Sequence, residues 1–417
     1  MITNLKDWEK TVEALQAVNS PAYPSPPDER DHRLFRYMRL QPETPEVFDM
    51  FHSFIPQAPD QLKRGVCVSK TNKNAYNTAY NVMGRLPKGG FSTGLNYVLS
   101  KQFDGIPESE GTFPRVSLDI SRKYGNCTEL SLPYSRFNQF NPLQLPAVTE
   151  EHLKEAANYK LEGYVRLNGV LEMQQALSAG QLIMTAHIVT DNFGKFPSYL
   201  KPDKGVIPIP NGHILGGHAT LFYGYSKPRS WKDMLNSWGP DWALNGSAYM
   251  PYGDFIEYKT EEGVDFFWEA WAMIFNLKDP TVGREVKMWV DKSIALVDGV
   301  PTSIDLYNRE VVPFISQERA FIPSRFLSEA FAFKVDWDKY KKQATIDDLK
   351  GKVIILWENK PTALVNGVPK QIDKDNKLVV PTLRHNRISL PVRFINEEVG
   401  LKVDYNSHRK EIKVTRV

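Results

Sequence analysis

Apolar residues recur at helical spacing at Ala75, Tyr76, Ala79, Tyr80 and Met83, which predicts a helix over 68–83. A second helical pattern covers 151–178, with Leu153, Ala156 and Ala157 early and Leu171, Met173, Ala176 and Leu177 late, before Gly180. The pattern then changes to apolar runs at 181–189 and 218–225, which read as strands. Pro21, Pro24, Pro26 and Pro27 make 20–31 an extended arm rather than a packed element. Residues 1–278 therefore form a mixed α and β region. The polar stretch 278–284, broken by Pro280 and Gly283, reads as a linker.

The remainder of the chain repeats itself. Ala295-Leu-Val-Asp-Gly-Val-Pro301 returns 68 residues later as Ala363-Leu-Val-Asn-Gly-Val-Pro369. At the same offset Arg319-Ala-Phe-Ile-Pro-Ser-Arg-Phe326 returns as Arg387-Ile-Ser-Leu-Pro-Val-Arg-Phe394. Val335-Asp-Trp-Asp338 likewise matches Val403-Asp-Tyr-Asn406. Three ungapped matches at one offset predict two copies of one structural unit, about 287–350 and 353–417. Each copy reads as strand, Asp-Gly or Asn-Gly turn, strand, then a short helix near Pro323 or Pro391 and a closing hairpin.

Composition narrows the picture. With 417 residues, 41% apolar and 24% charged, the chain is that of a folded protein of two or three domains. No apolar run approaches the length of a spanning helix, so a membrane-spanning reading is excluded. A net charge of +3 without a basic block gives no footing for nucleic-acid binding. The tail from 279 carries 24 basic and 19 acidic side chains, net +5, an ordinary balance for its length. Two cysteines, Cys67 and Cys127, rule out a disulfide framework and a multi-cysteine zinc site. His385 and His408 are isolated, and His213 lies five residues from His218, on the opposite strand face, so no metal or other cofactor is expected. The N-terminus shows no apolar leader.

The chemistry-bearing residues sit in two stretches. Gly216-Gly217-His218-Ala219 opens an apolar strand, followed by Leu235-Asn236-Ser237-Trp238-Gly239 and Asn245-Gly246. Upstream, Gln61 precedes Cys67 by six residues at the start of the first predicted helix, and Tyr124-Gly-Asn-Cys-Thr-Glu129 leads on to Pro133-Tyr134. In order, spacing and context these stretches resemble the papain-like family of cysteine peptidases, over about 55–275. The duplicated tail, 285–417, resembles the tandem module named after the N-terminal domain of copper amine oxidases, common in bacterial cell-surface proteins.

The resemblance implies an α+β architecture. A two-lobed papain-like domain at 55–278, with a helical lobe and an antiparallel barrel-like lobe, follows an N-terminal extension at 1–54 and precedes the duplicated α+β module. It also implies catalytic roles for Cys67, His218, Asn236 and Gln61, with Trp238 supporting. Cys67 would be the nucleophile, its thiolate favoured by the helix N-terminus and a protonated His218. Asn236 would orient the imidazole, and Gln61 with the Cys67 amide would bind the oxyanion. Trp238 would shield the Asn–His pair. Cys127 is expected to be structural. The function implied is peptide-bond hydrolysis through a thioester acyl-enzyme, with a peptide or protein as substrate. The tail would dock to a cell-surface polymer or protein, on a secreted or surface-bound bacterial protein, with a cytoplasmic setting as the alternative. A catalytically inactive papain fold serving as a binding component is the competing reading.

Two further expectations follow. Val68-Ser-Lys-Thr-Asn-Lys-Asn74 is polar where a buried central helix should be apolar. Exposure of that helix, cover by 1–55 or a partner, or a degenerate site would each explain it. Ser25-Pro-Pro-Asp-Glu-Arg30 could enter the cleft as an inhibitory arm, but wrapping around a lobe is the preferred reading.

Overall fold

The computed structural model describes residues 5–18, 20–28, 31, 33–38, 40–137, 141, 144–194, 205–251, 258–260, 263–275, 284–331, 333–348 and 351–416. The expected linker at 278–284 lies, apart from Arg284, outside them. The chain divides into two units, Met1–Asp31 with Thr44–Asn276, and His32–Glu43 with Leu277–Val417.

In the first unit the central helix, Cys67–Val82, packs beside the helices Gly94–Phe103 and Pro114–Lys123. Against them lies an antiparallel sheet in the order Gly163–Arg166, Phe267–Ile274, Leu182–Thr190, Ile214–Ser226, Trp231–Leu235, Ser247–Pro251. The pairs of Leu182–Thr190 with both neighbours put an all-buried strand at the middle of the sheet. Burial on both faces explains its continuous apolar run.

The region 151–178 is not one helical stretch. It comprises helix Glu150–Ala156, strand Gly163–Arg166 and helix Val170–Ser178. Gly163-Tyr-Val-Arg pairs with Trp271 through Ile274, and sheet pairing there outweighs the helical spacing of the flanks. Gly169, at φ +116°, precedes the helix Val170–Ser178 in a conformation that only glycine adopts easily.

The second unit interleaves the two copies. The first copy's opening strands, Glu285–Trp289, Ile294–Val297 and Val300–Ser303, share a sheet with the second copy's closing hairpin, Lys402–Asn406 and Glu411–Thr415. Conversely, Lys334–Asp338 and Gln343–Asp347 join Val353–Trp357, Thr362–Val365 and Val368–Gln371. The Asp298-Gly299 and Asn366-Gly367 turns have positive φ at both residues, the geometry tight hairpins of this twist require. Arg319 bonds Asp373 at 2.7 Å, and its counterpart Arg387 bonds Asp305 at 2.7 Å, so each copy ties the other. Part of the N-terminal extension also belongs here: the buried Arg284 donates to the carbonyls of Phe35, Met38 and Ala330 and pairs with Asp298.

Candidate active site

Cys67 is the first residue of the central helix and is fully buried. Arg64 fixes the turn before it. Its guanidinium is buried, bonds Glu110 at 2.5 Å and lies over the Phe137 ring, while Glu110 also accepts from the Gly65 amide. The backbone amides of Cys67, Val68 and Ala219 favour the thiolate, but burial outweighs them and pushes the thiol up to about 12.

The Ala219 contact sets Cys67 against the strand Ile214–Ser226, next to His218. His218 is buried, and its Nε2 lies 2.6 Å from Asn236 Oδ1. The same oxygen accepts the Ser237 amide at 2.7 Å, which fixes the carboxamide orientation. Nε2 must then carry the proton, leaving Nδ1 as the basic atom. Trp238 stacks on the imidazole, with ring centroids 4.7 Å apart. Trp242 and Phe193 meet Trp238 edge-on and complete an aromatic roof. Burial holds the His218 imidazole down to about 4, against a raising contribution from the Asn236 bond.

Gln61 reaches the same cluster through the backbone. Its amide donates to Ser237 O, Asp60 bridges Trp238, and its Oε1 accepts the Ser237 hydroxyl at 2.6 Å. Gln61 Nε2 donates to Arg64 O at 3.1 Å. Cys67, His218, Asn236, Gln61 and Trp238 are thus brought together. Among the described residues no hydrogen bond joins Cys67 to His218; the thiol donates to Pro21 O at 3.5 Å.

That contact places Ser20 to Ser25 in the cleft, ahead of the stretch 25–30 considered for it; Asp28 of that stretch lies instead beside Arg115 of the helix Pro114–Lys123. The Gly217 amide donates to Ser20 Oγ at 2.7 Å, Ala22 bridges Thr112, and the Ser25 amide donates to Glu269 at 2.9 Å. Glycines make the room: a Cβ on Gly111 would stand 2.5 Å from the Pro21 carbonyl, and one on Gly217 2.4 Å from Ala22 O. A cavity of about 360 Å³ remains beside the arm, lined by Pro21, Gln61, Leu215, Gly216, His218 and Trp238.

The central helix is buried despite its polar run, because its neighbours supply partners. Ser69 donates to Asn96, Asn72 to Ser121, and Lys73 pairs with Glu129. Lys70 sits 3.5 Å from the Tyr134 ring centroid, and burial lowers its ammonium to about 7. Polar side chains on Gly94–Phe103 and Pro114–Lys123 meet much of the cost that the sequence alone left open, with Asn72 Oδ1 left without a hydrogen-bond partner among the described residues. Cys127 lies in a core cluster with Leu95, Leu99, Ile120, Leu132 and Ala156, and both cysteines are free. His213 is exposed beside Asp191. Among the described residues no His, Cys, Asp or Glu group could hold a metal ion, and no helix is long and apolar enough to cross a membrane.

One site residue escaped the sequence reading. His187 stands opposite His218 in register, with ring centroids 5.9 Å apart. Burial lowers it to about 3, so it stays neutral and does not repel a protonated His218. Its one sequence signal was a histidine inside a mostly apolar strand.

Comparison with known proteins agrees with both halves of this architecture. Residues 303–414 match the copper amine oxidase N-terminal domain. A peptidase C1-like protein of Acanthamoeba polyphaga mimivirus is 25% identical over 243 residues, 55% of this chain and 74% of that one. A cathepsin B-like protein of Giardia intestinalis is 27% identical over 207 residues, 48% of this chain and 65% of its own length. Among solved structures, xylellain, a cysteine protease from Xylella fastidiosa, aligns with 22% identity and a TM-score of 0.49, over 62% of this chain and 97% of that one. The first unit has the papain-like fold of C1 cysteine peptidases, and residues 303–414 match the copper amine oxidase N-terminal domain.

Proposed function

We propose that the papain-like unit of this chain is a cysteine endopeptidase that the arm Ser20–Ser25 holds latent. The observation that carries the reading is the buried His218–Asn236 pair set under Trp238, beside a cysteine at a helix N-terminus. In the open cleft, Nδ1 of His218 takes the Cys67 proton, and the helix N-terminus and imidazolium stabilise the thiolate. The sulfur attacks the scissile carbonyl, while Gln61 Nε2 and the Cys67 amide donate to the oxyanion. His218 returns its proton to the leaving amine, then deprotonates the water that clears the thioester.

With the arm in place none of this chemistry is available. The thiol and the imidazole are both buried in neutral form, since burial drives their pKa values apart in the wrong sense for an ion pair. Gln61 Nε2 gives one hydrogen to Arg64 O and keeps its second for the oxyanion, while the Pro21 carbonyl of the arm accepts the thiol hydrogen. Water entering on arm release lowers the thiol pKa and raises that of His218. Incubation of the full chain with a peptide substrate, before and after limited proteolysis of the arm, tests the reading. Hydrolysis gained on arm removal and lost in Cys67→Ala supports it; hydrolysis that survives Cys67→Ala refutes it.

A further inference from the structure

The interleaved copies of the second unit present two equivalent grooves in different states. Under the 68-residue offset, Ser303, Ile304, Phe326 and Glu329 correspond to Gln371, Ile372, Phe394 and Glu397. The first groove is filled. Arg33 donates to Ser303 O and Ile304 O, pairs with Glu329 at 3.3 Å, and sets its guanidinium 5.6 Å from the Phe326 ring centroid. Phe35 meets the same ring edge-on at 5.7 Å. Under this cover the Glu329 side chain is only 6% exposed.

The second groove is open. A cavity of about 600 Å³ runs along it, lined by Gln371, Ile372, Phe394, Glu397, Val403 and Tyr405. Glu397 is exposed and has no side-chain partner among the described residues. Tyr405 is 45% exposed, whereas its counterpart Trp337 is partly covered. Two of the neighbouring charges are paired with others, Arg319 with Asp373 and Lys370 with Glu398, and Arg393, Lys374, Glu318 and Asp375 also line the cavity. The carbonyl edge, aromatic ring and carboxylate that hold Arg33 and Phe35 in one groove therefore recur, unfilled, in the other.

We propose that the second groove docks a linear peptide segment in which an arginine is followed two residues later by phenylalanine, supplied by a partner protein. The arginine pairs with Glu397 and lies over Phe394, with its remaining donors on the carbonyls at 371 and 372. The phenylalanine packs edge-on against the same ring. The copy of this chemistry seated in the first groove is the argument for the occupant.

The probe is a labelled peptide, Asp-His-Arg-Leu-Phe-Arg-Tyr-Met-Arg-Leu, the sequence of 31–40, titrated into the full chain by fluorescence anisotropy. Saturable binding is expected. It should weaken about tenfold when Glu397→Arg reverses the charge facing the peptide arginine. Peptides carrying alanine for the arginine or the phenylalanine at the docking positions should bind comparably worse. Circular dichroism checks that Glu397→Arg, a surface change, leaves the fold intact. Three results would overturn the proposal: no saturable binding, binding indifferent to Glu397→Arg (exchange with the resident segment of the first groove), or equal binding of a scrambled peptide. Self-association abolished by Glu397→Arg, without peptide binding, would also overturn it, and would assign the groove to a second copy.

Discussion

Removing one hydroxyl from the arm should open the cleft. Ser20 Oγ accepts the Gly217 amide at 2.7 Å and donates to Ala22 O at 2.5 Å, and all of these groups are buried. In Ser20→Ala the Gly217 amide loses its partner while the arm is seated, but water satisfies it when the arm leaves. A buried unsatisfied donor costs about 1–3 kcal/mol, which falls on the closed state alone. The open population should therefore rise roughly 5- to 150-fold. The assay is the second-order rate of Cys67 alkylation by an epoxysuccinyl reagent in the full chain, read by intact mass at low reagent concentration. Where opening precedes a slow labelling step, that rate scales with the open population. A rate equal to wild type, in a variant whose thermal unfolding is unchanged, would show that Ser20 does not hold the arm and would refute the reasoning.

Acid should loosen the arm through His218, whose imidazole burial holds at about 4 against an ordinary value of ~6.5. In Cys67→Ala, where no thiolate pairs with the imidazole in the open cleft, a base depressed in the closed state favours closure fully above pH ~6.5 and loses that contribution as pH falls toward 4, so at pH 5 opening should gain roughly 30-fold over pH 7.5. Glu269, raised by burial where it accepts the Ser25 amide, works in the opposite sense. Hydrogen-exchange protection of the Gly217 amide in Cys67→Ala minus that in Cys67→Ala with His218→Gln isolates the histidine part; a difference independent of pH contradicts it. In the activated enzyme, Asn236→Ala should lower kcat/KM about 10- to 150-fold by removing the bond to imidazolium. Gln61→Ala should lower kcat about 10²- to 10³-fold, and steady-state kinetics check both. In the second unit, Arg284→Ala removes the buried guanidinium that balances the Asp298 carboxylate and should destabilise that unit by about 3–5 kcal/mol in denaturant unfolding.

The residues that meet at the candidate site could be picked out in the sequence because the proposed chemistry demands particular residue types. A cysteine opening a helix, a glutamine six before it, and a histidine with Asn-Ser-Trp-Gly downstream are local patterns. What fills the cleft was not legible. Ser20 to Ser25 have no periodicity, and their place depends on Gly65, Gly111 and Gly217, remote in sequence, leaving room for a backbone. The polar central helix misled for a related reason: Asn96, Ser121 and Tyr134 satisfy much of it, and nothing at 68–74 announces them. In the tail, the hairpins and their Asp-Gly and Asn-Gly turns could be read from the repeat. Which hairpin pairs with which could not, since both copies carry the same pattern and either exchange or self-pairing satisfies it. The membership of 33–38 in the tail rests on bonds spanning about 250–300 residues, such as Arg284 to Phe35 and Arg36 to Phe333, which no local signal encodes.

The most direct test of the central claim is peptide mapping by mass spectrometry after the full chain, with and without proteolysis of the arm, meets an epoxysuccinyl inhibitor. The account predicts one adduct, on Cys67, forming slowly in the intact chain and quickly once the arm is cut, with Cys127 untouched in its core. An adduct on Cys127 alone, or none on Cys67 after the arm is gone, would contradict it.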